Sequence, residues 1–330
     1  LLYPLRIPYM GGKQTVAEML VREMIAMKPQ AKVFVDLFGG GGSMSFMASQ
    51  LGLQVVYNEY DGQLASFVAW LMKRIASGER GQYGLFPDDF YQFVTRERFF
   101  EQIDLHTPYS EFCRVVCSFG NTRRSYMFNP EIEATKHLLH NMVVFGCVDS
   151  LQRFNDTHSN AVKLSNKATV NERRLDIMRQ VKMQYGRYDL QQLERLQQLQ
   201  QLERLQQLEQ LQQLERLQQL ERLQRFTLLN LSYNAVPLPY DDNEVIIYCD
   251  PPYRGTCKYR QEFCYVAFDE WLRKQHHTVF ISEYTMPDDF YEVFNFKKRV
   301  TLSSSSNNVV ATERLFCNRP AVTVQQMGLF

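Results

Sequence analysis

Five apolar residues, Val245-Ile246-Ile247-Tyr248-Cys249, run straight into Asp250-Pro251-Pro252-Tyr253. A short apolar run closed by a proline pair reads as a buried strand opening into a loop. That loop is where open α/β sheets place their ligands. The prolines fix φ and remove two N–H donors, so the turn is stiff and its carbonyls point in set directions. A carboxylate, a rigid carbonyl and an aromatic face held together suit a flat base with an exocyclic amino group. The lone pair of such an amine is delocalised into its ring. Two acceptors, the Asp250 carboxylate and the Pro251 carbonyl, can take its hydrogens and localise that pair, while Tyr253 stacks on the ring. The competing reading is a turn with a capping acid, and the rest of the chain decides between them.

The N-terminal part repeats the strand-then-loop pattern. Pro8-Tyr9-Met10-Gly11-Gly12-Lys13 places a cation after a glycine pair, where backbone approaches a ligand closely. Helical spacing follows over 15–27, ended by Lys28-Pro29. A strand over 31–35 meets Asp36-Leu37-Phe38-Gly39-Gly40-Gly41-Gly42-Ser43, and a helix over 44–51 comes next. This is strand, glycine loop, helix, with an acid at the strand end. No Gly-Lys-Ser/Thr follows, so a P-loop is disfavoured, and the spacing fails G-x-G-x-x-G. A second strand, 54–57, ends in Asn58-Glu59-Tyr60-Asp61. An acid at the second strand tip is where a nucleoside's ribose hydroxyls are gripped, and Glu59 is the choice over Asp61.

A helix over 61–76 closes this βα rhythm, which is absent from 86 to 188. Between 114 and 187 there are twelve Lys or Arg against six Asp or Glu, although the whole chain carries only +1. The local excess favours a polyanionic partner. Ser118-Phe119-Gly120-Asn121-Thr122-Arg123-Arg124-Ser125-Tyr126 reads as an exposed loop or hairpin tip. Arg and Asn there can read guanine and adenine edges, and Tyr or Phe can wedge between bases. Arginines paired with Glu131 and Glu133 in a structural loop are the alternative.

From 190 to 223 leucine recurs at every third residue, twelve times, among Gln, Glu and Arg. The composition is helical, but at about 100° per residue a step of three spirals the leucines around every face. One long helix of about 50 Å is the expectation, and no chemistry is assigned to it. Strands resume at 226–231, 245–249 and 278–282, with late strands expected at 293–296 and 321–325. Lys297-Lys298-Arg299 and the polar run 303–308, with Ser304 and Asn307, suit phosphate contact. The seven cysteines contain no C-x-x-C pair and read as reduced core residues. No run approaches the roughly 18 apolar residues of a membrane span.

Taken in this order, the motifs resemble those of the Dam-like (D12 class) N6-adenine DNA methyltransferases. The matching pieces are P-Y-M-G-G-K, D-L-F-G-G-G-G-S, the N-E-Y-D strand tip, D-P-P-Y, V-F-I-S and the loop before E-R-L-F, spanning most of 4–325 except the leucine tract. The resemblance implies a seven-stranded, mostly parallel Rossmann-like α/β sheet with an inserted, mainly helical target recognition domain. It divides the chain into a cofactor half (1–77), a recognition insertion (78–189), the leucine tract (190–225) and a catalytic half (226–330). It implies S-adenosylmethionine as cofactor, double-stranded DNA as partner and no metal. Tyr9, Met10 and Lys13 would lie by the cofactor's methionine part, Asp36, Phe38, Gly40 and Ser43 at the sheet edge, Glu59 on the ribose and Tyr233 by the adenine. Asp250 would touch both the cofactor amine and the target N6, with Pro251, Pro252 and Tyr253 completing the catalytic motif. Asn121, Arg123, Arg124 and Tyr126 would read DNA, with Lys298, Arg299, Ser304 and Asn307 on phosphates. Ser232 stands where many members have Asp.

The expected reaction is methylation of N6 of an adenine flipped out of the duplex. Methylation of RNA or of a protein glutamine, and non-catalytic DNA binding, are the alternatives; the glutamine enzymes usually open the motif with Asn. The expected protein is a cytoplasmic monomer of bacterial, prophage or phage origin, with the leucine tract as the route by which it would oligomerise.

Overall fold

Runs of four or five apolar residues are too short for helices and form the strands of one sheet. A computed structural model describes residues 13, 15–119, 123–158, 161–185, 226–254, 263–300 and 309–320. These residues divide into two compact units, one holding 13–69 and 226–320, the other 70–185. The tract 190–223 and the strand expected at 321–325 lie outside the described residues.

In the first unit, helix α1 (Ala17–Met27) leads to β1 (Val33–Asp36), α2 (Ser43–Gln50), β2 (Gln54–Asn58) and α3 (Gly62–Ser77), which continues past Ala69. After the second unit come β3 (Phe226–Leu229), β4 (Val245–Cys249), α9 (Tyr265–Lys274), β5 (Val279–Glu283), β6 (Tyr291–Val300) and β7 (Val309–Cys317). The strand order is β3-β2-β1-β4-β5-β7-β6. Neighbours from β3 to β5 are parallel, while β7 runs antiparallel to both β5 and β6. Every residue of β1, β4 and β5 is buried, as a parallel sheet covered on both faces requires. On one face Val35, Ile247 and Ile281 form a core with Phe268 and Leu272 of α9.

Connections leave β1 toward β2 on one side, while β4 pairs with β1 on the other. The carboxyl ends of β1 and β4 thus flank the point where the strand order reverses, which opens a crevice there. Asp36 closes β1 and Asp250 follows β4.

The sheet's last pair corrects the sequence reading in one place. Lys297, Lys298 and Arg299 belong to β6, facing Thr312, Ala311 and Val310 of β7, and are not in a loop. An antiparallel edge pair can keep one face in water, so charges are tolerated within its strands.

The second unit is helical, with α4 (Arg96–Gln102), α5 (Pro108–Cys117), α6 (Pro130–Phe145), α7 (Val148–His158) and α8 (Val170–Tyr185). Thr107 and Ser110 form a reciprocal capping box, with Pro108 in the first turn of α5. Among the described residues its one β feature is the antiparallel bridge between Ser118 and Tyr126.

Candidate active site

The turn after β4 gathers charge. Lys13 is buried, and its Nζ lies 3.0 Å from Asp250 Oδ1 and 3.5 Å from Glu313 Oε2. It also donates to the Tyr253 hydroxyl. Asp250 retains 21% of its side-chain exposure, so a ligand can reach it. Burial pushes the Asp250 carboxyl above its usual range, against the pull of Lys13. Burial opposes the charge on Lys13, but Asp250 and Glu313 outweigh it and hold the ammonium's pKa up. The Tyr253 ring meets Tyr284 edge-on, with centroids 4.7 Å apart.

Three side chains brace this turn from outside. The Arg254 amide donates to Glu283 Oε1 at 2.7 Å, and the Tyr265 hydroxyl donates to the Tyr253 carbonyl at 3.2 Å. The Arg254 guanidinium meets Asp269 Oδ1 at 2.5 Å.

The ends of β1 and β2 form the other wall. Ser45 Oγ donates to Asp36 Oδ2 at 2.7 Å, and burial raises the Asp36 carboxyl to about 7. The Phe38 amide also meets the Asp36 carboxyl, while Ser43 Oγ is buried without a hydrogen-bond partner among the described residues. The glycine loop is tight for a definite reason. A Cβ on Gly39 would stand 2.2 Å from the Tyr57 ring, whose hydroxyl donates to the Gly40 carbonyl. Gly42 turns at φ +74°, a region open to glycine, and is the N-cap of α2.

Glu59 is pinned by two amides, Gly40 N–H at 2.7 Å and Asp61 N–H at 2.8 Å. Asn58 is fully buried and binds the carbonyls of Leu37 and Leu231 as well as the Leu231 amide. It thereby fixes the segment before Tyr233 beside the glycine loop. Phe38 stacks on Tyr233 at 5.6 Å, with Phe263, Phe268 and Trp271 around them.

Thus Lys13, Asp250 and Tyr253 form one contact group, and Phe38 and Tyr233 another. Asp36, Gly40, Ser43 and Glu59 line the β1 and β2 ends, and Pro251 and Pro252 follow Asp250. Tyr9, Met10, Asn121, Ser304 and Asn307 lie outside the described residues. In the second unit the loop at 118–126 closes through Phe119 N–H to the Ser125 carbonyl and Met127 N–H to the Cys117 carbonyl. Tyr126 is buried, with its hydroxyl on the Val94 carbonyl at 2.7 Å. Arg123 is paired with Glu111 at 2.5 Å. Arg124 and Phe119 are exposed. Sequence reasoning gave no role to Asn58, Glu283 or Glu313. Each stands where a polar residue interrupts or closes an apolar strand, the one signal that marks it.

A doubly wound sheet with an antiparallel final pair, and an acid-Pro-Pro-Tyr turn at its switch point, defines a Rossmann-like methyltransferase. The family model for the D12 class N6 adenine-specific DNA methyltransferases matches residues 9–310, and the chain belongs to that family. Comparison with curated proteins gives no match. The chain is an adenine-specific DNA methyltransferase, and S-adenosylmethionine is the methyl donor such enzymes generally use. Among the described residues no group of three or more His, Cys, Asp or Glu could hold a metal ion, and no helix is long and apolar enough to cross a membrane.

Proposed function

We propose that the enzyme methylates N6 of an adenine flipped out of duplex DNA, with Asp250 and Pro251 as the groups that meet the target amine. The observation that carries this reading is a reachable Asp250 carboxylate beside Lys13 at the end of β4, inside the family match. S-adenosylmethionine, when bound, supplies an electrophilic methyl on a sulfonium. The residues present suit it. A buried Ser43 hydroxyl is without a partner among the described residues, bare glycine backbone allows close approach, and the Phe38–Tyr233 stack offers a ring face. Glu59, at the tip of β2, would take the ribose hydroxyls, and Asp250 the amino group. Lys13, with Tyr9 and Met10 by motif position, would border the methionine part.

The Asp250 carboxylate and the Pro251 carbonyl accept the two N6 hydrogens and turn the nitrogen lone pair outward. Tyr253 stacks on the base, and orientation supplies most of the catalysis. Flipping costs a few kcal/mol, recovered by these contacts. Residues 78–189 form the target recognition domain in this reading. Its DNA-reading hairpin is 118–126, with Arg124 and Asn121 toward base edges and Phe119 as a wedge. Arg123 and Tyr126 hold its base. Lys298, Arg299, Ser304 and Asn307 would serve the phosphates.

Radiolabelled S-adenosylmethionine and unmethylated duplex DNA test the reading, with wild type beside Asp250→Ala. Label is expected in N6-methyladenine, with the variant slower by on the order of 100-fold or more, as for other lost positioning groups. Cofactor binding without transfer to DNA would move the substrate to RNA or protein. A folded protein that binds no cofactor would sink the proposal.

A further inference from the structure

The proline pair that stiffens the 250–254 turn also strips it of donors. Neither Pro251 nor Pro252 has an N–H, so beyond Asp250 the first backbone amides belong to Tyr253 and Arg254. A turn with so few donors cannot hold itself by local backbone bonds, and something outside must fix it. Glu283 is placed to do so. It is the last residue of β5, the parallel neighbour of β4, in which Ile281 faces Cys249. Its side chain is 1% exposed, and Oε1 accepts the Arg254 amide at 2.7 Å. The other oxygen, Oε2, is buried with no hydrogen-bond partner among the described residues. The Tyr284 amide also reaches this carboxylate, yet a carboxylate buried this far is expensive for stability alone.

We propose that Glu283 is a positioning residue for methyl transfer, which fixes the Asp250 and Pro251 acceptors by holding the Arg254 amide at the end of the turn. This rests on the assignment of those two groups as the ones that meet the target amine. Tyr265 holds the preceding carbonyl, that of Tyr253, from the other flank. The two anchors grip consecutive backbone groups and leave the turn one register. Burial also lifts the Glu283 carboxyl to about 7, but an oxygen of either protonation form can accept the amide. The clamp therefore needs an acceptor of the right reach and not a charge.

Glu283→Ala, Glu283→Gln and Glu283→Asp, beside wild type, separate clamp from ballast. The Gln variant keeps the reach and an acceptor oxygen, Asp keeps the charge but shortens the reach, and Ala has neither. Steady-state methylation of duplex DNA is expected to show kcat down by about 10- to 100-fold in Ala, the size of effect a displaced group produces. KM for DNA should stay within about threefold, Gln within about threefold of wild type in kcat, and Asp on the side of Ala. Hydrogen exchange at the Arg254 amide should speed up in Ala and Asp and return to the wild-type rate in Gln. Should Ala fail to fold, Asp against Gln carries the same comparison. Gln falling as far as Asp or Ala, or unchanged exchange in both Ala and Asp, would overturn the proposal. If wild type transfers no methyl to adenine, the proposed function fails instead, and the exchange rates alone decide the clamp.

Discussion

Lys13 meets both the Asp250 and the Glu313 carboxylates, so one ammonium answers for two acids. Its charge keeps Asp250 ionised lower in pH than burial alone would allow. A neutral side chain at that position removes this pull, and the Asp250 pKa rises further. In Lys13→Met the acid limb of the kcat/KM profile for methyl transfer should therefore move to higher pH. Part of the activity lost near pH 7 should return in more alkaline buffer. A pH–rate series on both proteins checks this, and a limb that stays put or moves toward acid would remove Lys13 from that role. At this scale the motifs were legible: Asp36, Glu59 and Asp250 end or follow short apolar strands, and that position is visible in a string of letters. Glu313 was not, because it lies inside a strand as a buried acid, and only its long-range contact with Lys13 explains it. Gly39 shows the same limit. The sequence shows a flexible loop, while the need for glycine comes from a Tyr57 ring eighteen positions away.

Elements with a strong period could be read closely, as β4 and α1 show, and charged edge strands could not. β7 carries Glu313 and Arg314 in its middle, which break the apolar run, and no strand was expected there. The loop proposed to read DNA is the element with most at stake. Glu111 is 2% exposed, with Arg114 at 3.2 Å and Arg123 at 2.5 Å, and Arg123 itself sits at φ +61°. A left-handed non-glycine residue is strained by about 1–3 kcal/mol and persists only where its surroundings hold it. Removing one member of a buried ion network leaves the others uncompensated, at about 3–5 kcal/mol. Glu111→Ala should lower the melting temperature and, by releasing the loop, weaken DNA binding as well. Arg124→Ala, on an exposed side chain, should leave melting unchanged and weaken binding to the recognised DNA site by about 1–3 kcal/mol. Denaturation and binding titrations at two or more salt concentrations check both. A loop variant with normal binding would place DNA recognition elsewhere.

Across the whole molecule, the two compact units carry buried titratable groups of opposite kinds. The sheet unit buries acids, with Asp36 and Glu283 both pushed up to about 7 by loss of solvent. The helical unit buries a histidine, with His140 pushed down to about 4 by the same cause, and His137 and His158 also lowered. The signs follow from proton counting. Between about pH 4.5 and 7 the folded sheet unit holds protons its unfolded chain has released, so its stability is greatest at the acid end and falls as pH rises. The folded helical unit lacks protons that its unfolded chain has taken up below about pH 6.5. Its stability is greatest at the neutral end and falls toward pH 4. Asp242, Asp289 and Glu172 are shifted down and titrate below this window. Calorimetry of the ligand-free protein from pH 4.5 to 7 should therefore show two transitions that move in opposite directions. Glu283→Gln should flatten the acid-stable one, and His140→Phe the other. Transitions that shift together, or a Gln variant with the wild-type slope, would show that these groups do not carry their burial cost into stability. The opposed slopes have a structural origin. Burial disfavours the charged form in both units, which keeps these acids protonated to higher pH and this imidazole neutral to lower pH.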